Sequence, residues 1–94
     1  MDRLFNEMIQ TLRDARQAVS DDFKVHSSRS TTDPDTLWRL AAAVSSFAEQ
    51  ADGLLNMMMK RDPLNPTISE VEDLLEFFHQ IEMQIGVVIE AGRG

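Results

Sequence analysis

Between residues 34 and 60, apolar side chains recur every three or four positions: Leu37, Leu40, Ala41, Val44, Phe47, Ala48, Ala51, Leu54, Leu55 and Met58. At about 100° per residue they fall on one stripe of a helix, in a nearly unbroken a/d-type pattern over about three heptads. A chain carrying such a stripe must lay it against other apolar surface. Asp33-Pro34 reads as the helix start, with Asp33 capping free N–H groups and Pro34 at a position that has no hydrogen bond to lose. Lys60 and Arg61 suit the negative end of the helix dipole and mark its stop. Gly53, inside this helix, costs about 1 kcal/mol relative to Ala and reads as a tolerated glycine.

Two further stripes flank it. Residues 2–24 place Phe5, Met8, Leu12, Ala15 and Val19 on one face, with Leu4 and Ile9 broadening it. Residues 67–91 carry Ile68, Val71, Leu74, Leu75, Phe78, Ile81, Ile85, Val88 and Ile89, with Gly92 as a C-cap glycine and Gly86 an interior blemish. Thr67-Ile68-Ser69-Glu70 fits a capping box, and Asn65-Pro66 offers a rival start. Residues 25–32, Val-His-Ser-Ser-Arg-Ser-Thr-Thr, have no period and read as a mobile linker open to proteolysis. The turn Arg61-Asp62-Pro63-Leu64-Asn65-Pro66 is short and stiffened by its prolines, which makes the second and third helices antiparallel neighbours.

The sequence therefore predicts one all-α domain over residues 1–94: helices at about 2–24, 34–60 and 67–91, the last two an antiparallel hairpin. No internal repeat and no period-2 strand breaks the pattern. Either a three-helix bundle or a dimeric helical bundle satisfies the stripes, and the first helix can fold back or exchange with a second copy. A 94-residue chain buries only about 60–65% of its unfolded surface, which favours the homodimer.

Composition removes several classes of function. Without cysteine there is no disulfide scaffold, thiolate metal site or Cys nucleophile. No apolar run reaches the roughly 18–20 residues that span a bilayer, and no secretory-signal pattern opens the chain, so the expectation is a cytoplasmic protein away from membranes. A formal net charge of −7 opposes direct nucleic-acid binding. The serines and threonines have no evident base beside them, and there is no strand-following glycine loop to hold phosphate. The chain is therefore expected not to be an enzyme and to need no cofactor.

What remains are groups off the stripes. Trp38 lies about 130° from the centre of its stripe on a helical wheel and Met57 about as far on the other side. Met58 and Met59 read as core. Met83 and Val87 face away from the third stripe, and Phe77 sits on its edge. Scattered exposed apolar residues are ordinary, but Trp and Met are also suited to interfaces. From Pro63 to Ala91 there are six acids, Glu70, Glu72, Asp73, Glu76, Glu82 and Glu90, and no Lys or Arg. That face either keeps the protein in solution or docks a partner with a basic surface. Glu76 and His79, three apart, can share a metal, but helices 1 and 2 place no acid within their stripes to complete a buried site, so no metal site is expected. The residues assigned to partner contact are Trp38, Met57, Glu76 and Met83.

The hairpin over about residues 37–91, with its Asp62-Pro63-Leu64-Asn65-Pro66 turn, resembles the helix–turn–helix subunits and chaperones of bacterial secretion systems. It is also similar to small helical anti-activators of bacterial transcription regulators. Both resemblances rest on size, helicity and the turn, and they carry over no site residue. The three stripes, the missing catalytic groups, the off-face Trp38 and Met57 and the concentrated negative charge together predict a small acidic helical binding module that sequesters a partner protein as an anti-activator or inhibitor. The alternatives are a secretion or assembly component, or a metal-binding oxidoreductase on Glu76 and His79.

Overall fold

A computed structural model describes residues 2–27 and 34–93 and shows three α-helices. Helix α1 spans Asp2–Ser27, α2 Pro34–Arg61 and α3 Ile68–Arg93, and no strand occurs among the described residues. α2 and α3 form the expected antiparallel hairpin, and α1 packs against both, which gives an elongated bundle of 48 × 19 × 17 Å. The helices extend past their expected ends. Val25 to Ser27 continue α1, and α3 runs through Gly92, with no glycine at positive φ among the described residues. Gly92 is therefore not a left-handed C-cap. The Asp33 cap and the rest of the linker, residues 28–33, lie outside the described residues.

One continuous core runs along the axis. α1 contributes Phe5, Ile9, Leu12, Ala15 and Val19, and α2 contributes Leu37, Leu40, Val44, Ala48, Ala51, Leu54 and Met58. α3 adds Val71, Leu74, Phe78, Ile81, Ile85 and Ile89. These steps of three and four are the sequence stripes, closed within a single chain. Every buried core side chain is apolar, and among the described residues no buried polar side-chain atom lacks a partner.

Three side chains depart from the wheel. Leu4 is exposed at the start of α1 rather than broadening its stripe. Met59, read as core, is 57% exposed although Met58 in the same last turn of α2 is fully buried, because one step of about 100° carries it off the packed face. Met57 is half-buried and packed against the core. A wheel fixes the direction of Cβ, whereas a methionine has enough rotatable bonds to curl back onto apolar surface.

α3 starts at Ile68, directly after Thr67, whose carbonyl accepts the Val71 N–H at 3.1 Å, so the Thr67 start holds and not the rival at Asn65-Pro66. Asn65 Oδ1 accepts hydrogen bonds from the Thr67 N–H at 2.9 Å and the Thr67 hydroxyl at 2.6 Å. The Asp62 N–H donates to the Met58 carbonyl at 2.7 Å and so satisfies an end carbonyl of α2. Glu70 does not close a capping box. Its carboxylate takes a two-pronged ion pair from the Arg13 guanidinium on α1. That pair holds the Glu70 carboxyl below its ordinary value of 4.5 and raises Arg13.

A group lowered in the folded state lends stability above its unfolded value and loses that contribution as pH falls through the lowered one. Glu70→Gln is therefore expected to lower Tm slightly at pH 7, by no more than about 4 °C for so exposed a pair. The gap to wild type should close in melts taken from pH 5 down to pH 3, and also in high salt at neutral pH.

Candidate functional site

The open end of the hairpin pairs the first turns of α2 with the last turns of α3. Successive positions on α2 turn small side chains toward α3: Ala41 and Ser45 are half-buried beside the core residues Leu40 and Val44. Opposite them, Gly86 has no side chain to fill the space. The result is an apolar groove of about 1000 Å³ with Trp38, Ala41, Ala42 and Ser45 on one wall. Met83, Gly86, Val87 and Ile89 form the other wall, and Glu82 and Glu90 stand on the α3 side. Trp38 is 53% exposed, Met83 72% and Val87 68%, so large apolar surface faces solvent here.

Met83 and Val87, four apart on α3, form a ridge rather than a rim. On its other flank, beside Phe23 of α1, a second groove of about 460 Å³ is lined by Met83, Val87 and Val88. Val87, not among the expected contact residues, is thus central to the surface. The sequence held the signal in the off-stripe pair Met83 and Val87. That the small residues Ala41, Ala42 and Ser45 lie opposite Gly86 depends on the hairpin register and carries no signal in the linear sequence.

The four expected contact residues separate. Trp38 and Met83 meet in the large groove. Glu76 is exposed two turns earlier on α3, in a shallower depression of about 400 Å³ that it shares with His79, Leu75 and Met83. Met57 lies apart, against the core. Phe77, read as an edge residue, is covered: its ring meets Phe78 edge-on at 5.5 Å, and the Arg16 guanidinium lies 5.1 Å over its centroid. Among the described residues no three His, Asp or Glu side chains gather as metal donors, and no helix is long and apolar enough to cross a membrane.

No protein family, curated protein or solved structure matches this chain. A reading of its function therefore stands on the chemistry of its own surface.

That surface makes a direct prediction. Because Trp38 is half out of the fold, Trp38→Ala is expected to leave helicity unchanged and to cost less than about 1 kcal/mol, part of it offset by the higher helix propensity of alanine. Circular dichroism and a thermal melt check this. A core tryptophan would cost about 3–5 kcal/mol.

Proposed function

We propose that the chain is a small acidic protein-binding module that regulates a partner by covering one of the partner's own functional surfaces. The observation that carries this reading is the exposed apolar groove with Trp38 and Met83 on facing walls. Aromatic and methionine side chains at the centre of a concave apolar patch are the usual anchors of a protein interface. The acidic α3 supports selectivity for a basic partner surface and faster association with it.

The test is affinity capture from a lysate of the source organism, with wild type beside Met83→Glu. The expected result is a protein recovered by wild type and lost with the variant. The purified chain should then inhibit that protein's own activity. Capture that does not distinguish the two baits, or capture without inhibition, defeats the regulator reading.

A second reading has its own observation. Leu4, Met59 and Leu64 are exposed toward the turn end of the bundle, away from the groove. Apolar surface at both ends permits head-to-tail association, as an assembly component would need. Light scattering separates the outcomes: open-ended growth with concentration supports assembly, and a closed homodimer or a monomer supports the regulator.

A further inference from the structure

The groove has a length, a floor and a charge. Its α3 wall runs from Glu82 to Ala91, about 14 Å at the helical rise. That length matches side chains at i, i+3 or i+4, and i+7 of a single docked helix, which span about 10 Å. The floor is kept low by Ala41, Ala42, Ser45 and Gly86. Gly86 is not required by the fold: a methyl group there would meet nothing within 4 Å, and its φ is not positive. A glycine that weakens α3 and serves no internal contact leaves room for something outside the chain.

The charge selects among occupants. Two carboxylates, Glu82 and Glu90, line the groove, and among the described lining residues there is no Lys or Arg; Arg39 follows Trp38 on α2 but does not line it. A second copy seated here would set these carboxylates against their own kind, in a chain of net charge −7.

We infer that the groove receives an amphipathic helix from the partner, with three apolar anchors between α2 and α3 and a Lys- or Arg-bearing flank along Glu82 and Glu90. This rests on the docking reading above and names the chemistry of the partner. The apolar anchors fill the space beside Trp38, Met83 and Val87, and the basic flank sets orientation and excludes acidic helices.

The test uses the full chain and three synthetic helical peptides of about four turns. They share Leu anchors at i, i+4 and i+7, lack Trp, and carry Lys, Gln or Glu on the flanks. Trp38 is the only tryptophan, so its fluorescence reports binding at the groove, with calorimetry for affinity. The Lys peptide is expected to bind at least about tenfold tighter than the Glu peptide, with Gln between and the difference narrowing in salt.

Gly86→Leu fills the floor without an internal clash and is expected to weaken Lys-peptide binding at least about tenfold, with helicity retained. Gly53→Leu, at an equally open position outside the groove, should leave binding unchanged. Equal affinity for the three peptides overturns the inference but leaves the docking reading standing. Lys-peptide binding that ignores Gly86→Leu overturns it, since the peptide then sits elsewhere on the acidic surface. Absence of peptide binding also overturns it. If a concentration-dependent dimer that Gly86→Leu dissociates accompanies that absence, the occupant is a second copy. The docking reading then rests on the Met83→Glu capture alone.

Discussion

Val44→Asp is expected to abolish the cooperative unfolding transition. Val44 is 0% exposed in the middle of α2, and every buried neighbour in the core is apolar. A carboxylate there has no partner, and its transfer out of water costs several kcal/mol whether it stays ionised or takes up a proton. A domain of this size has about 5–14 kcal/mol of total stability, so one substitution removes most or all of it. Thermal melts followed by circular dichroism should show a broad, sloping loss of signal in place of a sigmoid. Ser46→Asp, exposed two positions along the same helix, is the control and should move Tm by only a few degrees. A sharp transition in Val44→Asp near the wild-type Tm would mean that α2 does not face the interior as described.

Phe78→Ala is expected to cost about 3–5 kcal/mol while leaving a folded protein. Phe78 is fully buried and is the meeting point of two ring contacts, with Phe47 of α2 at 5.7 Å and with Phe77 at 5.5 Å. Truncation removes the transfer free energy of the ring, leaves a cavity that neighbouring helices close only in part, and forfeits both aromatic pairs. At about 4–8 °C per kcal/mol for a small domain, Tm should fall by roughly 12–40 °C. Urea titration should show a lower midpoint with an unchanged slope, the mark of lost stability rather than altered compactness. Phe77→Ala, which removes a half-buried ring under Arg16, should cost clearly less.

The hairpin and the three stripes were legible in the sequence because helical periodicity is a direct image of burial. Leu40, Val44, Ala51 and Met58 step as a core face must, and they are the core. Side chains beyond the stripe were less legible. Met57 and Met59 sit on either side of Met58, and how far each is covered depends on side-chain flexibility, which a wheel does not contain. Glu70 was read as a cap because the pattern is local, yet Arg13, 57 positions away in the sequence, takes its carboxylate. The groove was half legible: Trp38 and Met83 stood out singly, but their meeting across α2 and α3 depends on the register of the hairpin. Nothing in a linear pattern showed that Gly86 would face Ala41 and Ala42.

The all-hydrocarbon interior has an implication for how α1 is seated. Greasy surfaces attract without direction, so the lengthwise setting of a rod on two others is left to the fit of its side chains, and among the described residues no buried polar group adds to it. The long-range ionic clasp between Arg13 and Glu70, with the Arg16 guanidinium over the Phe77 ring, adds directional ties between α1 and α3 on the outside of that core. Phe23 of α1 lines the second groove beside Met83, so a shift of that rod would reshape the outer flank of the ridge. The lengthwise setting of α1 and the contour offered to a visitor are thus one variable, set by the core fit and trimmed by a surface pair that acid or salt can loosen.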